Sequence, residues 1–396
     1  MTRKQWSSVH RIAGFYLAIL LCFVLVTGTL AVVSHELDYL TNPAMRAQST
    51  NNPVNWSQTY RVVNRYIPAG HRIVQLHQPE HNGFAIEALV INTQGQRYRV
   101  YVDPVSYDAT GTGRWMNWQN SLRRLHRHLM LPLGLGVTLV SSLAVLLLAS
   151  LLSGWVLVPN WKKVLWQWPR RKNSRLFWAD IHKLSGAWSS WLIVVIGLTG
   201  LWYLVEQNGL KASYAPAPVT RWSAADWAQS KEALVAQITQ AEAAIALQRP
   251  GFTPTAWYLP NEAGDALRID GRQEGILVRD RANSITIDPL TGQWLTQRFA
   301  YQLNLHHRIS EAADPLHFGT WGGYPTKLLY VGFGLLLSSL CLTGTYLYAL
   351  RFVRVRDKPA QWHLLKTGVR KMGVWGAVSS AGIVMAALLY LQFIAI

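Results

Sequence analysis

Five apolar stretches, each long enough to cross a bilayer, constrain this chain more than any other feature. They run over Ile12 to Val33, Leu133 to Val158, Ala187 to Val205, Leu328 to Leu350 and Val374 to Ile396. A helix needs about 20 such residues to span the hydrocarbon, and helices satisfy their own backbone hydrogen bonds there. Composition agrees, since half of the 396 residues are hydrophobic and only 15% are charged, against about a quarter in soluble domains. A lipid bilayer is thus the first partner expected. Arg3 and Lys4 precede the first stretch, but its apolar run outlasts the h-region of a signal peptide, so it reads as a retained anchor.

The net charge of +18 is concentrated beside these stretches, which argues against a nucleic-acid partner. The connection Trp161 to Arg175 carries Lys162, Lys163, Arg170, Arg171, Lys172 and Arg175 with no acid. The connection Arg351 to Lys371 carries Arg351, Arg354, Arg356, Lys358, Lys366, Arg370 and Lys371 against Asp357. By the positive-inside rule both are cytoplasmic, with the N-terminus inside and the C-terminus outside. The two long connections then lie outside. Each holds strand-like runs that end alike, in Val102-Asp103-Pro104 and Ile287-Asp288-Pro289, and two small α+β extracytoplasmic domains are expected.

Only two cysteines occur, Cys22 and Cys341, both inside apolar runs. That excludes a disulfide framework, a CxxC site and CxxCH haem attachment. No Walker loop, GxGxxG after a strand, HExxH or GxSxG is present, so nucleotide, zinc-protease and serine-hydrolase readings have no support.

The chain repeats itself. His10-Arg11-Ile-Ala-Gly14 opens the first stretch and His182-Lys183-Leu-Ser-Gly186 precedes the third, and in the same register come Thr27-Gly28 and Thr199-Gly200. Leu125-His126 and Leu316-His317 precede the second and fourth stretches, which end near Ser153-Gly154 and Thr343-Gly344. A pattern of span, outer domain and span therefore occurs twice, with a fifth helix added. Parallel repeats of this kind are related by an axis along the membrane normal.

On a straight helix His10 and Gly28 share one face, about 27 Å apart. Imidazole with nearby glycine suits a flat, bulky cofactor, His binding it and Gly14, Gly28, Gly186 and Gly200 giving it room. A haem iron takes axial imidazole, and a helical bundle can hold it. The repeat supplies His10 with His182 on the inner side and His126 with His317 on the outer side. His35 and His128 stand as alternatives to His126. The competing account is that small residues let helices pack closely and histidines cap the spans.

The ordered set of His10-Arg-x-x-Gly, Thr27-Gly28, Ser34-His35-Glu36-Leu37-Asp38 with Asn42-Pro43, Leu125-His126-Arg127, His182-Lys-x-x-Gly, Thr199-Gly200 and His317-Phe318-Gly319-Thr-Trp-Gly-Gly323 resembles the PepSY-associated transmembrane helix family over nearly the whole chain. Lys183 stands where that family has Arg, and Val105-Ser106-Tyr107 departs from the x-Thr-Gly that Leu290-Thr291-Gly292 keeps.

The resemblance implies a bacterial inner-membrane ferric-siderophore reductase with two b-type haems and no catalytic residue beyond them. Its substrate would be a ferric siderophore in the periplasm and its electron donor is unidentified. The fold expected is an integral membrane α-helical bundle of about five transmembrane helices, internally duplicated, with two small α+β periplasmic PepSY-like domains. In residue numbers, helices cover 1–35, 131–160, 182–206, 326–350 and 374–396. The periplasmic domains cover 36–130 and 207–325, and the basic cytoplasmic loops 161–181 and 351–373. The groove between the two outer domains is the expected chelate site, with Trp56, Trp115, Trp118, Trp257 and Trp321 as candidate contacts. The alternative function is a haem-free scaffold or transporter whose outer domains bind peptide or chelate.

Overall fold

The computed structural model describes residues 1–171, 173–220, 224–352 and 361–395. Lys172 and the Arg354, Arg356, Asp357 and Lys358 part of the second basic connection lie outside the described residues. In chain order the helices and strands are α1 (Arg3–Phe15), α2 (Ala18–Val32), α3 (Ser34–Thr41), α4 (Trp56–Tyr66), β1 (Arg72–His77), β2 (Ile86–Ile91), β3 (Arg97–Val102), β4 (Ala109–Arg114), α5 (Trp118–His128), α6 (Leu133–Leu157), α7 (Trp161–Val164) and α8 (Ser174–Val205). There follow α9 (Ala224–Gln248), β5 (Thr253–Tyr258), β6 (Leu267–Arg272), β7 (Ser284–Ile287), β8 (Trp294–Arg298), α10 (Leu305–Phe318), α11 (Tyr324–Ala349), α12 (Gln361–Lys371) and α13 (Val374–Ala395). They form two compact units, one of Met1–His35, Trp118–Lys211 and Ala313–Ile396, the other of Glu36–Asn117 and Ala212–Ala312.

The first unit is helical. Four of its helices are long and apolar enough to cross a membrane, and α1 with α2 make a fifth candidate as a pair bent by 59°. The expected straight span over Ile12 to Val33 is thus broken, at Tyr16 and Leu17, just after Gly14. Phe15 packs there on Tyr348 with ring centroids 4.0 Å apart. By contrast α8 runs unbroken and starts well before the expected Ala187, so that it includes His182.

Within this unit α8 packs on α6 and α11, α2 on α11 and α5, and α1 on α6. Small residues set these contacts, because without a hydrophobic drive in lipid the helices gain by close approach. A Cβ on Gly197 would lie 2.6 Å from Leu148 Cδ2, and one on Gly334 2.5 Å from Thr29 Oγ1.

The second unit is built on one antiparallel sheet of eight strands in the order β4-β3-β2-β1-β5-β6-β7-β8. Two separate domains were expected. Instead each half contributes a four-stranded meander, and β1 pairs with β5 through Gln75↔Tyr258, Leu76↔Trp257 and His77↔Ala256. The physical reason is that β1 and β5 would each leave an unpaired edge, and joining them satisfies both ladders. One core then serves both halves, with Val63 of α4, Ile238 of α9, Leu76, Val100, Trp257 and Ile285 all buried in it.

The matched strand endings form matched turns. Asp103 Oδ1 accepts from the backbone of Val105 and Ser106, and Asp288 Oδ1 from that of Leu290 and Thr291. Each such turn satisfies backbone donors while reversing the chain.

Candidate functional site

All four histidines singled out from the sequence lie in the helical unit, and they meet in two pairs. The rings of His10 on α1 and His182 on α8 have centroids 6.3 Å apart, with planes at 88°. Those of His126 on α5 and His317 on α10 are 6.0 Å apart, with planes at 40°. The ring facing His317 is therefore His126, whereas His128 turns its Nδ1 to the Leu131 carbonyl at 2.7 Å. Because α8 carries His182 and also Thr199, which touches His317, the two pairs lie about 25 Å apart along that helix.

Each ring is held through Nδ1. His10 Nδ1 donates to the Ser150 carbonyl at 3.0 Å, and His126 Nδ1 to the Val24 carbonyl at 2.9 Å. His182 Nδ1 lies 2.8 Å from Thr343 Oγ1, and His317 Nδ1 2.7 Å from Thr199 Oγ1. Both hydroxyls donate to carbonyls of their own helix, Thr343 to Ser339 and Thr199 to Val195, so they accept from the imidazoles. The proton of every ring is thereby assigned to Nδ1, and Nε2 keeps its lone pair. This is the tautomer of a metal ligand whose other nitrogen is fixed by a neighbour.

Of the glycines expected to give a cofactor room, Gly28 lies against an imidazole: a Cβ there would lie 2.6 Å from His126 Cε1. Gly154 and Gly344 lie beside His10 and His182, where an added Cβ would make ordinary contact with Cε1 at 3.5 and 3.4 Å. Gly14 faces Ser150 Oγ and Gly200 the Ala144 Cβ at close range, 3.3 and 3.0 Å from an added Cβ, whereas one on Gly186 would meet only Leu340 at 3.8 Å. The bend between α1 and α2 also removes the straight-helix register that put His10 and Gly28 on one face.

Ser153, whose Oγ lies 3.1 Å from His10 Nδ1, Thr199 and Thr343 were not singled out as site residues, although the repeated Ser-Gly and Thr-Gly pairs at 153–154, 343–344 and 199–200 carried their signal. Ser150 acts through its backbone carbonyl and left none. At the outer pair Tyr203 adds an edge contact to His317 at 5.3 Å and donates its hydroxyl to Asp314 at 2.6 Å. Desolvation by the surrounding protein lowers the His126 imidazole and brings His317 down to about 3, so both are neutral near pH 7.

Two imidazoles that bind one metal ion through Nε2, at about 2 Å each, put their centroids roughly 6 Å apart. Both pairs have that separation. Among the described residues no group of three or more His, Cys, Asp or Glu is placed to hold a metal. Two protein ligands per site fit a metal whose remaining ligands come from a macrocycle.

A family model described as the PepSY-associated TM region matches residues 7–351. The chain belongs to that family. A comparison with curated proteins returned no match. In this PepSY-associated membrane protein the match takes in both histidine pairs, the whole sheet unit and four of the five candidate spans.

Of the aromatic residues considered for chelate contact, Trp56 and Trp257 are buried at 2% and 0% exposure and pack on each other in the sheet core. They are unavailable to a ligand. Trp115 lies under the Arg99 guanidinium at 4.8 Å, and Trp118 and Trp321 are exposed. The two meanders share one sheet, so any chelate groove between the two halves would have to form over a continuous strand array rather than between separate domains.

Proposed function

We propose that this chain is a di-haem b oxidoreductase of the bacterial inner membrane that passes electrons across the bilayer, reduces ferric siderophore in the periplasm and releases Fe(II). The observation that carries this reading is the pair of histidine pairs, each at the separation of a bis-imidazole metal site and each with Nδ1 already committed. The matched seats support an internal duplication of the bundle. Lys162, Lys163, Arg170, Arg171 and Arg175 in the first basic connection support a cytoplasmic His10 and His182 level and a periplasmic sheet unit.

When bound, haem supplies one-electron transfer at a potential set by its axial ligands and surroundings. The chain's own residues hold and orient it. His10 and His182 would hold one haem iron through their Nε2 atoms, and His126 and His317 the other. Ser150, Thr343, Val24 and Thr199 fix the ring planes and make the imidazoles better donors. Gly28 lets the His126 ring sit flush against the α2 backbone. On the substrate side no general acid is required, because one added electron lowers the charge density of iron and weakens a hard-oxygen chelate.

The deciding experiment is the absorption spectrum of purified protein from haem-replete cells, before and after dithionite. Sharp low-spin bands with two haems per chain are expected. A colourless, folded preparation rejects the reading in favour of a haem-free scaffold or transporter.

A further inference from the structure

One cavity of the helical unit is not used by this reading. It measures about 400 Å³ and is lined by Trp6, Leu152, Trp155, Val156 and Trp161. A second recess beside it is lined by Asn160, Trp161, Lys162 and Lys163. Two of the lining residues are neighbours in the chain of the His10 seat. Trp6 lies one helical turn before His10 on α1, and Trp155 follows Gly154, beside which His10 lies.

The walls are flat and aromatic. Trp155 and Trp161 have nearly parallel rings, 25° apart in plane with centroids at 6.4 Å. The Trp155 indole is fixed by donation to Ser190 Oγ at 3.1 Å. The mouth is apolar, since Leu152 and Val156 are about half exposed and belong to a candidate span, where lipid is the surrounding solvent. The rim is cationic through Lys162 and Lys163.

We infer that this cavity binds an isoprenoid quinol, the electron donor of the reductase, and this rests on the function proposed above. A quinol is a flat ring with an apolar tail and two hydroxyls, so it reaches the cavity through the bilayer and lies against the tryptophans. Asn160 and the two ammonium groups supply hydrogen bonds to the ring oxygens at the rim. A cavity of this size takes the head ring and the first part of the tail. On oxidation the quinol becomes a quinone and releases two protons to water at the rim. Its two electrons leave one at a time toward the His10 and His182 pair, and together they reduce two ferric chelates. A soluble donor protein would have no use for a mouth that opens between lipid-facing side chains.

The test is photolabelling of the haem-loaded protein in lipid nanodiscs with an azido-ubiquinone, followed by peptide mapping. Label is expected on Trp6 or within residues 152–163, displaced by decylubiquinone. Trp161→Leu and Lys162→Gln each weaken labelling about tenfold, equal to roughly 1.4 kcal/mol, with the dithionite spectrum retained. Trp166→Leu, at an exposed position outside the cavity, leaves labelling as in wild type. Label elsewhere, displacement by phosphatidylglycerol as readily as by decylubiquinone, or indifference to Trp161→Leu overturns the donor site while the haem reading stands. Labelling of the cavity in a protein that binds no haem rejects the reductase reading and the donor role together.

Discussion

The imidazole of His126 occupies the space of the side chain that Gly28 lacks, so that a Cβ on Gly28 would lie 2.6 Å from His126 Cε1 and 2.8 Å from Nδ1. No real Cβ tolerates such a contact, and the ring cannot retreat without losing its bond to the Val24 carbonyl at 2.9 Å. Glycine at this position is thereby tied to one histidine rotamer.

Gly28→Ala is expected to remove the His126 and His317 haem as completely as His126→Ala does. Gly186→Ala, whose Cβ would meet only Leu340 at 3.8 Å, retains both haems. Haem per chain and the reduced spectrum decide between them. Loss of haem in Gly186→Ala with retention in Gly28→Ala would favour the assignment of these glycines to the macrocycle.

Replacing His10 or His182 by Ala removes one haem, and replacing His126 or His317 removes the other, leaving about half the wild-type content in each case. The two classes of variant have complementary spectra because the pairs lie about 25 Å apart. Two low-spin haems surviving in His182→Ala would show the pairing to be wrong.

Thr199→Val leaves the His317 Nδ1 proton without its acceptor at 2.7 Å, and Thr343→Val does the same at His182. Loss of an outer partner of this kind costs about 10- to 100-fold in affinity for the metal group. Haem transfer to apomyoglobin measures it. Rates equal to wild type in both variants would mean that the threonines do not orient the rings.

In the sheet unit Glu311 is buried at 1% and bonded to Arg279 at 2.8 and 3.0 Å, to Arg281 at 3.1 Å and to Tyr214 at 2.8 Å. Burial alone would raise its carboxyl, but the hydrogen bond and charge of Arg279, with Arg281 and Tyr214, hold it below the ordinary value. A depressed folded-state pKa gives stability that is present above the unfolded value near 4.3 and lost as pH falls through the folded one. Glu311→Gln is therefore expected to cost about 3 kcal/mol at pH 7, with the gap to wild type closing below about pH 4. Thermal unfolding of the full chain at stepped pH measures this, and a gap that does not depend on pH would exclude the linkage.

A reporter inserted beside Asn173 is expected to behave as cytoplasmic, and one inserted at Gly95, in the exposed turn between β2 and β3, as periplasmic. The motive is the run of Lys162, Lys163, Arg170, Arg171 and Arg175 without an acid. Reversed reporters would exchange the sides of both histidine levels.

The sequence alone determined the spans, since membrane thickness fixes how many consecutive apolar residues a helix needs and hydropathy is a local property. The expected Leu133 to Val158 and Val374 to Ile396 are met by α6, Leu133–Leu157, and α13, Val374–Ala395. The repeated register of His, Gly and Thr also named the four histidines that the fold brings together. Tertiary structure decided the rest, because the rest depends on residues distant in the chain. The bend after Gly14 appears where Phe15 meets Tyr348, and β1 joins β5 only once two meanders nearly 180 positions apart compete for each other's open edges. Which glycine serves an imidazole and which serves a helix contact follows from the neighbour that arrives, His126 at Gly28 and Ala144 at Gly200, and no spacing within one helix records that neighbour.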